Sequence, residues 1–332
     1  LFCNSGKYFG AISGAKSIIR TFTIVNKSNC DVLIVGGGPA GLALAARLRS
    51  EQSLNVRVLE RESSAGGIPR HSFHPGYGVR DLHRFMNGPN YANYYSELAD
   101  KCGVQVSLNS SAWDWADENT LVVTAPSGLE EISAQKIVLA TGARERSRNA
   151  RLVPGTRPKG IFTTGSLQQA VYLQNQAIGS RAVIIGSEHV SYSAIMTLKH
   201  ANVKTLAIVE ENSRTQSFQA VAMATKLRYR YKFYTDSKLV NISGKDRVVS
   251  VTIQKDDATF TIDCDTLVFT GNWISDNELA RRGNIDLDSN TKSPLVNDNF
   301  ETSRAGVYAI GNLLLPIKSA DQCVVEIRKL KI

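Results

Sequence analysis

The chain has 332 residues, more than one ordinary hydrophobic core organises and about right for two. Hydrophobic residues make up 42% and charged residues 21%, which excludes a disordered or fibrous chain. No apolar run reaches the roughly 18–20 residues that a membrane span needs. The net charge of +9 suits an acidic or polyphosphate ligand, but the bases are scattered without interleaved aromatics, so nucleic acid is not an expected partner.

Residues 1–29 contain Lys7, Lys16, Arg20 and Lys27 but no Asp or Glu, and read as a leader or disordered tail. The expected location is the cytoplasm, or the mitochondrial matrix if this stretch is a transit peptide. Asp31–Val35 is a short apolar strand, Pro39–Ser50 has helical periodicity, and Asn55–Leu59 is again strand-like and ends at Glu60. This βαβ unit implies a parallel sheet. Tyr91–Cys102 predicts a helix leading into Val104–Leu108. Ala112–Ala125 is strand-rich, with Trp113 and Trp115 on one packing face. Lys136–Leu139 is an apolar strand ending in Ala140-Thr141-Gly142.

The Pro- and Gly-rich stretch 153–160 predicts a domain crossing. A second βαβ follows, with strand Ala182–Ile185, helix His189–His200 and strand Thr205–Val209, then Glu210. Residues 228–262 alternate like antiparallel strands. Asp265–Phe269 ends in Thr270-Gly271, and Gly306–Ile310 in Gly311-Asn312. The βαβ-plus-strand plan therefore occurs twice at domain scale.

Gly36-x-Gly38-x-x-Gly41 sits directly after a strand and opens a helix. Gly36 permits a tight turn, Gly38 lets the backbone approach a diphosphate, and Gly41 lets helix pack on strand. The helix N-terminus would hold the phosphates, and Glu60 would accept from a ribose. An uncharged 2′-hydroxyl is implied, which leaves FAD and NAD and disfavours NADP. The second turn, Gly186-Ser187-Glu188-His189-Val190-Ser191, keeps only the first glycine. Glu188 adds bulk and negative charge where a diphosphate would come close. Glu210 and Glu211 favour NAD over NADP if a nicotinamide cofactor binds there.

Five cysteines, Cys3, Cys30, Cys102, Cys264 and Cys323, lie far apart with no CxxC. A zinc ribbon, an iron–sulfur cluster and a local redox pair all lack their spacing, and reduced thiols are expected. His71 and His74 find no third metal ligand at suitable spacing, so no metal is expected.

GGGPAG at 36–41, ERESSAGGIPRH at 60–71, VLATGARERS at 138–147 and GVYAIGN at 306–312 occur in the order found in pyridine nucleotide-disulfide oxidoreductases, and 30–326 resembles that flavoprotein family. The resemblance implies an α/β fold of two Rossmann-like, three-layer ββα dinucleotide-binding domains, the second inserted in the first. An FAD-binding domain would span 30–151 and 266–332, and an NAD(P)-binding-like domain 152–265. It implies FAD contacts at Gly36, Gly38, Pro39, Ala40, Gly41, Glu60, Arg61, Gly67, Ile68, Arg70, His71, Val106, Ala140, Thr141, Gly142, Gly311 and Asn312. A second nucleotide site would use Gly186, Glu188, His189 and Glu210. His189, at a helix start, also suits local packing.

A closer resemblance, carried by 66–84, 142–174 and 186–201, is to the FAD/NAD-type subunits of sarcosine oxidase (alpha), hydrogen cyanide synthase and opine oxidase. It implies oxidation of an amine or amino acid, with no redox disulfide near Thr163-Thr164-Gly165-Ser166, where disulfide reductases keep CxxC. The expected activity is that of an FAD-dependent oxidoreductase with a small-molecule substrate, oxidising an amine or amino acid or passing electrons to or from NAD(H). The alternative is a non-catalytic or electron-relaying subunit that holds a second flavoprotein subunit. No catalytic base is identified from the sequence.

Overall fold

The computed structural model describes residues 26–332, so the leader-or-tail reading of residues 1–25 lies outside them. Strand β1 (Asn26–Val35) leads into helix α1 (Pro39–Gln52) and strand β2 (Val56–Leu59). Helix α2 (Gly88–Lys101) precedes β3 (Gln105–Ser107) and an antiparallel meander of β4 (Ser111–Trp115), β5 (Thr120–Ala125) and β6 (Gly128–Leu139). The chain crosses through β7 (Ala143–Glu145) into β8 (Ile161–Thr163) and α3 (Thr164–Gln168). The second βαβ comprises β9 (Arg181–Ile185), α4 (His189–His200) and β10 (Lys204–Val209), followed by α5 (Gln219–Tyr229) and β11 (Lys232–Tyr234). A second meander, β12 (Ser237–Gly244), β13 (Val248–Lys255) and β14 (Ala258–Asp263), precedes β15 (Thr266–Phe269). The return passes through β16 (Trp273–Ser275) to α6 (Glu278–Arg282), β17 (Val307–Ala309) and α7 (Ala320–Ile327).

Two sheets of the same plan result. In the first the order is β3-β2-β1-β6-β5-β4, with β17 beside the last residues of β6. In the second it is β8-β15-β9-β10-β11, with the β12–β14 meander apart. In each, the first strand of the βαβ unit, β1 or β9, lies mid-sheet with neighbours on both sides, which opens a crevice at the strands' carboxyl ends. The registers level those ends. Leu59, Val35, Leu139 and Ala309 stand abreast in one sheet, and Val209, Ile185, Phe269 and Thr163 in the other.

Burial explains the apolar runs. Leu33, Ile34, Val183 and Ile184 are fully covered, as strands with helices or meander on both faces must be. Helix α1 is apolar nearly all round because it packs on the sheet and against α2 and α7. Trp115 packs into the first core and donates Nε1–H to Leu279 O at 2.9 Å. No helix among the described residues is long and apolar enough to cross a membrane.

Three expected boundaries move. Residues 26–29 belong to β1, because the long β6 extends beside them and Ser28 donates to Glu130 at 2.7 Å. Residues 266–269 belong to the second sheet, where β15 pairs with both β8 and β9; four buried apolar residues need partners on two sides. Residues 219–229 form a helix, and β11 runs parallel to β10, where the alternation from 228 suggested antiparallel strands. No residue of α5 is buried, so it leaves no apolar stripe in the sequence.

Candidate dinucleotide crevices

The first crevice lies over the level ends of β1, β2, β6 and β17. Gly36 turns the chain at φ +117°, and a Cβ there would overlap the Ala140 carbonyl; a Cβ on Gly41 would overlap the Gly36 carbonyl. Strand end, helix and neighbouring strand are therefore in backbone contact. Gly38, the N-cap of α1, differs: nothing of the protein lies within 4 Å of where its Cβ would be. No side chain caps this helix, and Pro39 at its first turn has no N–H to satisfy. Open space in front of free amides at a helix N-terminus fits a diphosphate.

Glu60 is buried beside that turn. Its Oε2 accepts from Gly37 N at 3.1 Å and its Oε1 from Glu62 N at 2.9 Å. Each oxygen thus keeps acceptor capacity for a ribose hydroxyl. Burial pushes the Glu60 carboxyl above the ordinary range, and the two amides draw it back only in part. Gly67 packs against Gly38, Gly311 against Ala40, and a Cβ on Gly142 would meet nothing. Val106 is partly buried in β3 at the crevice edge, beside Val58.

Several expected contacts carry structural work as well. Arg61 reaches Asp276 at 3.2 Å. Arg70 pairs with Glu62 at 2.8 Å, and Ile68 is exposed. Asn312 accepts from Lys318 N at 3.1 Å and donates to Lys318 O at 3.0 Å, which pins the loop after β17. His71 is buried, and its Nδ1 donates to Gln168 Oε1 at 3.3 Å across the seam between the two sheets. Burial lowers its pKa, so its neutral form dominates at neutrality. His74 donates Nδ1–H to Pro75 O at 2.8 Å.

In the second crevice the acids are engaged by the protein itself. Ser187 donates to Glu210 Oε2 at 2.5 Å, while Asn212 donates its backbone N–H at 2.9 Å and its Nδ2–H at 2.6 Å to Oε1. Glu188 is the N-cap of α4, the place Gly38 holds in α1, and its Oε2 accepts from Thr270 Oγ1 at 3.2 Å. Burial raises the Glu188 carboxyl, and Thr270 and Arg151 offset this only in part. Ser191 fills the packing-glycine position by bonding Thr270 Oγ1 at 2.7 Å. The His189 ring lies 4.8 Å from the Phe218 ring, as local packing would have it.

Sequence reasoning passed over Glu145, Ser187 and Arg151. Glu145 lines a cavity of about 500 Å³ with Ser147, Arg157, Phe162, Thr163 and Phe269. Its one signal was a lone acid among the bases of the 143–151 crossing. Among the described residues no cluster of metal-ligating side chains occurs, and Cys30, Cys102, Cys264 and Cys323 are free thiols.

Two sheets with level strand ends, each carrying a turn into a helix and an acid at the next strand's end, define a protein with two dinucleotide-type domains. The pyridine nucleotide-disulphide oxidoreductase family matches residues 30–326, and the chain belongs to it. Members bind FAD and a pyridine nucleotide, and the chain is an FAD-dependent oxidoreductase of this family. The chain is similar to a soluble pyridine nucleotide transhydrogenase of Aliivibrio fischeri, 23% identical over 88% of this chain and 67% of that one. It is 25% identical to a ferredoxin–NADP reductase of Streptococcus thermophilus, over 85% of this chain and 84% of that one. One subunit of the opine oxidase of Agrobacterium tumefaciens is 23% identical over 85% of this chain and 61% of its own length. A thioredoxin reductase of T. acidophilum shares the fold with a TM-score of 0.74 at 19% identity, over 91% of this chain and 96% of that one.

Proposed function

We propose that FAD occupies the first crevice, between segments 30–151 and 270–332. The amides at the start of α1 face its diphosphate, Glu60 takes its adenosine ribose, and the Gly311-Asn312 backbone meets its ribityl side. The bound flavin supplies hydride or electron transfer, and the protein supplies position and exclusion of water. His71, neutral and held by Gln168, is placed to donate or accept a hydrogen bond on the flavin side of the seam. The observation that supports this most is the protein-free space over Gly38 beside a buried acid with spare acceptor capacity.

The substrate we infer is an amine or amino acid, on the motifs at 66–84 and 142–174 and on the similarity to an opine oxidase. No cysteine stands between Cys102 and Cys264, so thiolate chemistry has no residue at the crossing. The purified chain should show a flavin spectrum, bleached anaerobically by an amine such as sarcosine or by NADH. A colourless protein to which added FAD does not bind would overturn the assignment.

The three internal donors on Glu210 and the carboxylate of Glu188 at the N-cap position favour a second reading, an FAD-binding relay subunit whose pyridine-nucleotide crevice is obstructed by its own side chains. Such a chain would hold a second flavoprotein subunit. It would remain oxidised with amines and NADH until that partner is added.

A further inference from the structure

Glu145 ends β7, one of the two strands of the short ribbon that carries the chain between the domains. Its Oε2 accepts from Gly165 N at 2.9 Å, at the start of α3, and its Oε1 from Gly271 N at 3.2 Å, just after β15. Strand register gives these amides their meaning. Ala309 is level with Leu139, and Thr163 with Phe269, so Gly165 is the counterpart of Gly311 and Gly271 that of Thr141. In the first domain those strand ends border the open crevice. In the second, a side chain from the joining ribbon takes them.

Arg151 grips the same turn from its other side, with Nη2 donating to Thr270 O at 2.9 Å and Gly271 O at 2.8 Å. A two-stranded ribbon of three pairs is too slight to set an angle between domains by itself. Further seam contacts lie at and just beyond the end of α3, where Gln168 meets His71 and Phe73 stacks on Tyr172 at 4.0 Å.

We propose that Glu145 is a positioning residue: its carboxyl docks on the strand-end amides of the second domain as a tethered substitute for a ligand and fixes the angle at which that domain meets the flavin. The flavin half of this statement rests on the assignment of FAD to the first crevice.

Burial raises the Glu145 carboxyl to about 7. A partly buried acid so shifted docks best when neutral, and that contribution is lost as the pH rises from the ordinary carboxylate range through about 7, which loosens the joint. The charged groups facing it are Arg151, the cavity-lining Arg148 and Arg157 and, across Gly271, Glu188; Arg144 and Arg146 flank it on the strand. The amides of Gly165 and Gly271 and the buried Thr164 hydroxyl favour the charged form and offset the effect of burial only in part.

The test uses the FAD-loaded full chain, with spin labels at exposed Gln52→Cys on α1 and Lys199→Cys on α4 in a Cys102→Ser background. Pulsed electron paramagnetic resonance should give one narrow distance for the parent at pH 6, broadening at pH 8. Glu145→Gln, which keeps an acceptor for only one of the two amides, should be intermediate in width and unchanged between the two pH values, and Glu145→Ala should be broad at both. Flavin reduction by NADH should fall at least tenfold in Glu145→Ala with FAD affinity unchanged. An Ala variant with the parent's pH 6 distribution overturns the proposal, as does a Gln variant that broadens with pH as the parent does. A chain that retains no FAD refutes the flavin assignment instead, and the label distances still decide the joint.

Discussion

Ser187 donates its hydroxyl to Glu210 at 2.5 Å, whereas the matching Gly37 brings only its amide to Glu60, at 3.1 Å. That one side chain converts a carboxylate with spare acceptor capacity into one whose partners are all internal. Asn212 completes the enclosure from the next loop. A ribose entering the second domain competes with three donors already on its acid, one of them a side-chain hydroxyl, while one entering the first meets two backbone amides.

Opening the second crevice should therefore take two changes. Ser187→Gly releases Glu210, and Glu188→Gly removes the carboxyl from the diphosphate position. Repulsion between unit charges is worth roughly 1 kcal/mol in water and several at a partly buried site, so the double variant should bind NADH about tenfold or more tightly than the parent. Burial raises the Glu188 carboxyl, so parent affinity should climb as the pH falls and that charge is lost. The double variant should lack this climb. Calorimetric titration at pH 8 and stepwise down into the carboxylate range reads both effects, and equal affinities for parent and variant would dismiss the blocking role.

Two glycines of the first turn should separate folding from binding. A Cβ on Gly38 enters space empty of protein, so Gly38→Ala should leave the melting temperature within a few degrees yet weaken FAD by at least about tenfold. A Cβ on Gly41 overlaps the Gly36 carbonyl, so Gly41→Ala should destabilise the fold by about 1–3 kcal/mol. Thermal melts with and without FAD give both numbers. A Gly38→Ala protein that stays fully yellow through dialysis would contradict the diphosphate placement.

What the sequence disclosed was what periodicity and turn chemistry encode. The βαβ units, the meander after Ala112 and the acid at Glu60 follow from apolar runs and fixed glycine spacing. The joint at Glu145 does not, because its partners Gly165 and Gly271 are backbone amides 20 and 126 residues away. Glu188 was legible as an obstacle because it breaks a spacing. Ser187 was not, since a serine in a turn has many ordinary uses. Helix α5 was hidden for the opposite reason: a helix that buries nothing need not be amphipathic.

Glu60→Gln should retain the fold and lower FAD affinity by about tenfold, because hydrogen bonds to a charged group are worth about 1.5–3 kcal/mol and an amide replaces only part of one. The buried Glu60 carboxyl takes up its proton at a higher pH than an ordinary glutamate. Parent affinity should thus begin to fall at milder acidity than the usual carboxylate range, and the Gln variant should show no such fall. Flavin fluorescence during a pH titration reports the release. Parallel curves for parent and variant would remove Glu60 from the ribose site.

The first sheet should owe part of its acid resistance to Arg57 and Glu130. Their side chains are about nine-tenths covered and meet through two bonds, at 2.6 and 2.8 Å, with Ser28 donating to Glu130 and Ser107 accepting from Arg57. The hydrogen bonds from Arg57 are the main reason the Glu130 carboxyl sits below the ordinary value of 4.5. A lowered acid stabilises the fold above its unfolded value and loses that contribution as the pH falls through the folded one. Glu130→Ala strands a buried guanidinium and should cost about 3 kcal/mol at pH 7, with the deficit shrinking toward pH 3. The pair replacement Arg57→Met with Glu130→Leu should cost less than the single change, because it removes both charges from the interior. Urea unfolding at pH 7, 5 and 3 measures each arm. If the double replacement were as damaging as Glu130→Ala, the loss would belong to packing around β1, β2 and β6 and not to the stranded charge.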